Sequence, residues 1–363
     1  MIYKELKKIN IPDFFKRNGK TVASQEEWKE YSSSLKELFL KEEYGFLPEK
    51  LTPSIKIEPQ MINFAGKANW ESVYFTFKKE EKEHTVRVEL ILPKNKKNIP
   101  VFLCVNFGSE IPNKYLPAEE IIDNGFGIFT FCYQDVTSDN NDFTNGLCAL
   151  FENSDKNEYS FGKISIWSYM ASVCMDYLCT REEIDNKNVA IIGHSRLGKT
   201  ALLTSALDER FILTCANDSG CSGAAISRGK EKGNETLDDI ITTFPWWFCK
   251  NHYKYKNAPN DLPFDQHMLL SLIAPRYLVI GGAVDDVWAD NEGQLLSCYL
   301  SSYAWRLHGK QGLIMPKKAS LEVNDAFLNG EVGFYLREGS HFFSRYDWNV
   351  YMKKFKEILK RDI

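Results

Sequence analysis

No apolar run in this 363-residue chain approaches the length that a membrane-crossing helix requires. None of the nine cysteines stands in a C-x-x-C pair, so the spacing that would point to zinc or a dithiol redox centre is missing. Most of them lie inside apolar runs, where cysteine behaves as a small hydrophobe. There is no internal repeat, no low-complexity tract and no basic stripe. Lys94-Asn95-Lys96-Lys97 reads as a solvated loop, and Arg228-Gly229-Lys230-Glu231-Lys232 is mixed in sign. With a net charge of −4, nucleic acid is not an expected partner. The first residues, Met1 to Lys8, lack the apolar core of a secretory leader. Together with unpaired thiols, which suit a reducing compartment, this sets the expected address as cytoplasmic.

What is present is material for a core: 44% of residues are hydrophobic and 13% aromatic. Residues 26–42 carry helical spacing through Trp28, Tyr31, Leu35, Leu38 and Phe39, ended by Gly45 and Pro48. Residues 71–78 and 84–92 alternate as strands. Residues 101–105 and 127–131 are continuous apolar runs, as strands buried on both faces should be. A helix is expected over 164–178. Further strands at 188–192, 211–216 and 277–282 alternate with helical stretches. The pattern predicts an α/β fold, a doubly wound and mostly parallel sheet with helices on both faces. One domain is expected over 1–363, with 1–80 a helical and strand extension and 81–363 the core. The polar stretches 134–162 and 218–262 are read as walls of a cleft.

The most informative segment is Gly193-His194-Ser195-Arg196-Leu197-Gly198-Lys199-Thr200, which follows an apolar strand. It matches the phosphate-cradling pattern G-x-x-x-x-G-K-[ST]. It also reads as a loose nucleophile elbow, with glycine one place late at Gly198, that would set Ser195 on a sharp strand-to-helix turn. A serine nucleophile needs a base, and the base needs an acid, in the chain order Ser, Asp/Glu, His. Asp218 follows one apolar strand and Asp285-Asp286 another. His341 then stands in Gly339-Ser340-His341 after the run 333–336. The phosphate-loop reading gives no role to that last segment, so the esterase reading explains more. Asp286, after the later strand, is the preferred acid; Asp218 is the alternative, with Asp285 and Asp290 less favoured. His194 is expected to turn away from Ser195 into packing, and His267 to be structural. Arg196, next to the nucleophile, is a cation positioned to stabilise an oxyanion.

Four fragments, 193–199, 218–223, 286–290 and 339–342, resemble the glucuronoyl esterases of carbohydrate esterase family 15, and the bacterial branch more than the fungal. Echoes at 244–248, 262–267 and 272–276 extend the likeness over most of residues 90–350. One departure is His194, where the best-known members carry cysteine. The resemblance implies an α/β-hydrolase fold and a serine esterase that uses no metal or other cofactor. Its substrate would be an ester of (4-O-methyl-)glucuronic acid, small or oligosaccharide. It implies that Arg196 assists the oxyanion, that Lys199 binds sugar hydroxyls, and that Glu235 and Trp288 grip the sugar. An acetyl (xylan) esterase or another carboxylesterase on the same residues is the alternative.

Overall fold

The computed structural model describes residues 9–12, 15–17, 19–61, 64–151, 157–316 and 320–361. The reading of Met1 to Lys8 as a non-leader segment therefore lies outside the described residues. Among the described residues no helix is long and apolar enough to cross a membrane.

A ten-stranded sheet organises the chain. In sequence order its strands are β1 (Ser54–Pro59), β2 (Ala68–Lys79), β3 (Lys82–Pro93), β4 (Ile99–Asn106), β5 (Gly127–Cys132), β6 (Ile184–His194), β7 (Leu213–Asn217), β8 (Tyr277–Ala283), β9 (Ala326–Phe327) and β10 (Val332–Arg337). In space the order is β9-β10-β8-β7-β6-β4-β5-β3-β2-β1. The run from β10 to β5 pairs in parallel. The strands at both edges pair antiparallel. This is the doubly wound, mostly parallel sheet that the apolar runs predicted, in the α/β-hydrolase form that the resemblance implied. The sheet continues through residue 80: β2 and β3 form one hairpin, from Ala68 against Pro93 to Lys79 against Lys82.

Alternation along the buried strands feeds two cores. On one face Val101, Leu103, Val189, Ile191, Leu278 and Ile280 pack under helices α1 (Gln25–Phe39), α3 (Lys163–Leu178), α4 (Arg196–Leu207), α5 (Gln266–Ser271) and α6 (Asn291–Leu307). On the other face Phe102, Cys104, Ala190, Ile192, Cys215 and Val279 pack under α2 (Ala118–Asp123) and α7 (Arg345–Arg361). The helix expected at 26–42 starts at Gln25, capped by Ser24, whose Oγ accepts from Glu27 N at 3.2 Å. It passes into a π-helical turn over Leu40–Tyr44 and stops at Gly45, with φ 84°. A side chain at Gly45 would meet the Ser160 carbonyl oxygen at 2.3 Å, so the turn requires glycine there.

The two polar stretches hold short helices of their own, at Tyr133–Val136, Gly146–Leu150 and Leu237–Thr243. Composition hid them because each runs for under eight residues and is fixed by tertiary contacts. All nine cysteines are unpaired, and Cys179 alone among them is exposed.

Candidate active site

The C-terminal ends of β6, β7, β8 and β10 meet along one edge of the sheet, where loop residues from distant segments converge. Ser195 sits between β6 and α4 with φ 57° and ψ −128°, a conformation that a side-chain-bearing residue adopts at a cost of about 1–3 kcal/mol. Its N–H donates to the Asn217 carbonyl at 2.8 Å, tying the turn to β7. Glycine is required at 193, because a Cβ there would lie 2.1 Å from the Leu197 carbonyl oxygen. The second close approach falls at Gly198, whose Cβ position is 3.1 Å from Ser219 Cβ and 3.3 Å from the carbonyl oxygens of Gly193 and Asn217. Leu197 instead turns into the core and is fully buried. That is why the glycine of the motif arrives one residue late. A phosphate loop is a poor description of this turn. The Lys199 ammonium is buried and donates to the carbonyls of Ser219 (2.6 Å) and Cys221 and to Glu235 Oε2 (3.4 Å).

A cavity of about 140 Å³ opens beside Ser195, and His341, Arg196, Lys199, Asp218, Glu235 and Trp288 all line it. Of the acids considered from sequence, Asp285, Asp286 and Asp290 do not line it. Asp286 reaches it through His341, whose Nδ1 is 2.6 Å from Asp286 Oδ2. The other Asp286 oxygen accepts from Ala289 N at 3.3 Å. The carboxylate therefore addresses the ring from a fixed turn (Val287–Ala289).

Asp218 lies close by but is engaged differently. Its Oδ1 accepts from Ala283 N at 3.0 Å, and its Oδ2 is 3.5 Å from the Arg337 guanidinium. Burial, and then the charge of Asp286, push its carboxyl well above the usual carboxylate range. One atom each of Asp218, Asp286 and His341 lie within 4.8 Å of one another, a grouping that could in principle hold a metal. Each already has a protein partner, and the Arg337 cation beside Asp218 opposes a second cation there. Asp285 is exposed. Asp290 caps α6 through Gly293 N (2.9 Å) and pairs with Lys230 (2.7 Å). The His341 ring bonds Asp286.

His194 is packed, as expected, but against the proposed base: its ring centroid is 4.5 Å from that of His341. Asn217 Nδ2 donates to Asp347 Oδ1 at 3.2 Å, which turns Asn217 Oδ1 toward His194 Nδ1 (2.7 Å) and puts the ring proton on that nitrogen. Burial, and then the neighbouring His341, push His194 down to about 3, so it stays neutral. His267 is fully buried on α5.

The structure adds residues that sequence reading did not single out. Asp139 accepts from Arg196 Nη1 and from the indole N–H groups of Trp246 (2.8 Å) and Trp247 (2.7 Å). Arg196 lies over the Trp247 ring at 4.7 Å, and Trp247 stacks on Phe244 at 3.9 Å. Asp139 was legible only as one acid among many in the 134–162 stretch. Glu235 N donates to the Trp288 carbonyl at 2.9 Å, so the two expected sugar contacts come from segments joined through their backbones. Trp288 is 48% exposed, leaving its ring open at the cavity mouth.

Known proteins agree with this architecture. The family model for fungal glucuronyl esterases matches residues 75–309. Carbohydrate esterase MZ0003, from an unknown prokaryotic organism, is 32% identical over 96% of this chain and 89% of its own length. The 4-O-methyl-glucuronoyl methylesterase of Podospora anserina is 27% identical over 77% of this chain, which spans 56% of that protein's length. Among solved structures, a promiscuous CE15 esterase from a marine bacterial metagenome superposes with a TM-score of 0.86 at 31% identity, covering 98% of both chains. The chain belongs to the glucuronoyl esterase family, carbohydrate esterase family 15, and is a carboxylic ester hydrolase.

Proposed function

We propose that the protein hydrolyses esters of glucuronic acid through an acyl-enzyme on Ser195. His341 accepts the Ser195 proton as the oxygen attacks the ester carbonyl, and returns it to the departing alcohol. Asp286 holds the Nδ1 proton of His341, which leaves Nε2 free to act as the base. A water, deprotonated by His341, then attacks the acyl carbonyl and releases glucuronate and Ser195. Arg196 stabilises the oxyanion in both steps. Its charge is held by Asp139 and the Trp247 face, so it need not reorganise as the negative charge develops. Trp288 offers an apolar face to the sugar ring and Glu235 an acceptor for its hydroxyls.

The observation that carries this reading is the pair formed by His341 Nδ1 and Asp286 Oδ2 at 2.6 Å, with His341 and the strained Ser195 lining one cavity. The name of the Podospora anserina relative supports the glucuronate side of the ester. The experiment is a panel of methyl and benzyl glucuronate esters set against acetylated xylan and an aryl acetate. Glucuronate esters should give the highest kcat/KM. Turnover of acetyl esters with none of glucuronate esters would assign the site to deacetylation.

A further inference from the structure

Arg337 ends β10 and is buried, and its guanidinium is spent on the loop that carries His341. Nη1 donates to the carbonyls of Glu338 (2.9 Å) and Ser340 (3.3 Å), and Nη2 to the carbonyl of Phe342. These carbonyls lie on both sides of His341. The intervening Gly339 carbonyl accepts from Asp285 N at 3.0 Å, beside Asp286. The fork is itself fixed, since Nε donates to both oxygens of Asp347 at 2.8 and 2.9 Å. Asp347 is fully buried and also accepts from Tyr335 OH (2.7 Å), from Ser344 N and Oγ (each 2.7 Å) and from Asn217 Nδ2 (3.2 Å). Asn217 holds His194, the residue before Ser195. A continuous polar chain thus joins the Ser195 turn to the His341 loop through Arg337.

Resting on the Ser195–His341 reading, we propose that Arg337 is the positioning residue of the base: anchored on Asp347, it clamps the main chain on both sides of His341 and so holds the imidazole on Asp286. Arginine suits the task because a planar fork with donors on separate nitrogens reaches several acceptors at once, whereas an ammonium is a single point. Arg337 touches no reacting atom, so its loss should misplace His341 without altering the sugar wall.

The test compares Arg337→Lys and Arg337→Ala with wild type on a methyl glucuronate ester and an aryl acetate. For Arg337→Lys, kcat should fall about 100-fold on both substrates, as for a misplacement of roughly 1 Å, with KM nearly unchanged. In Arg337→Ala, added methylguanidinium should restore part of kcat. Where that variant does not fold, Arg337→Gln replaces it, and the kcat against KM split is read in the same way. A kcat for Arg337→Lys within a few-fold of wild type overturns the proposal. So does a loss that follows only the folded fraction and is not rescued by methylguanidinium. Ser195→Ala and His341→Ala run alongside: if they retain wild-type turnover, the Ser195–His341 reading fails, whatever Arg337 does.

Discussion

Replacing each carboxylate near His341 by its amide separates their roles. In Asp286→Asn the amide has one oxygen for two demands, Ala289 N at 3.3 Å and His341 Nδ1 at 2.6 Å. If the oxygen keeps Ala289, the NH₂ faces Nδ1, which must then give up its proton to Nε2, and the ring can no longer accept from Ser195. The flipped amide keeps the tautomer but sets NH₂ against a buried N–H, a mismatch worth roughly 1–3 kcal/mol. The wrong tautomer is therefore favoured. The expected loss in kcat is about 10³- to 10⁴-fold, the scale on which mis-setting a triad histidine acts, or about 4–5 kcal/mol of barrier. Asp218→Asn should behave differently. Burial and the Asp286 charge already favour the protonated form of Asp218. The amide oxygen can keep Ala283 N (3.0 Å), and what is lost is the 3.5 Å contact with Arg337. About tenfold in kcat is expected. The assay is kcat and KM for both variants on one glucuronate ester, with thermal unfolding as the control for folding. A larger loss in Asp218→Asn, or an Asp286→Asn variant within tenfold of wild type, would refute the assignment of the acid.

Stability should peak near pH 6.5. Burial pushes His194 and His267 down to about 3 and His252 to about 4, against an ordinary value of 6.5. Below pH 6.5 the unfolded chain binds three protons that the native chain refuses, so their contribution is lost as pH falls. Burial pushes Glu43 up to about 8 and raises Asp218 as well, so both contribute most at low pH and lose it as pH rises. Between pH 4.5 and 6.5 the three histidines outweigh Glu43, so stability rises with pH; from 6.5 to about 8 the histidines no longer differ between the two states and Glu43 reverses the sign. Urea unfolding across pH 5–8 checks this, and a midpoint still rising at pH 8 contradicts it. Lys199→Met should lower kcat/KM about tenfold on both a glucuronate ester and an aryl acetate, because the ammonium holds the 219–221 carbonyls beside the Ser195 turn. A loss confined to the glucuronate ester would show that the ammonium contacts the sugar.

The parts of this site legible in the sequence were those with a local signature. Buried parallel strands announce themselves as apolar runs, and the strand-to-helix turn at Ser195 as a cluster of glycines that permits close backbone approach. His341 was legible because it follows a strand near the chain's end. The edge strand β1 was missed because its Ile55 and Ile57 are exposed and its length is short. Asp139 and the carbonyl partners of Lys199 carried no pattern because their partners lie far along the chain, and Arg337 carried none because the main-chain carbonyls it binds have no residue identity. The packing of His194 against His341 was missed because it depends on β6 and the loop after β10 meeting across the sheet edge.

The central claim is that Ser195 is the nucleophile of a glucuronate ester hydrolase. The most direct test is kcat/KM for methyl glucuronate ester hydrolysis by wild type and Ser195→Ala, with folding verified for both. The account predicts clear turnover by the wild type, with glucuronate and methanol as products, and a loss of about 10⁶-fold in the variant. Turnover by Ser195→Ala near the wild-type level, or a well-folded wild type inert toward every glucuronate ester, would contradict it.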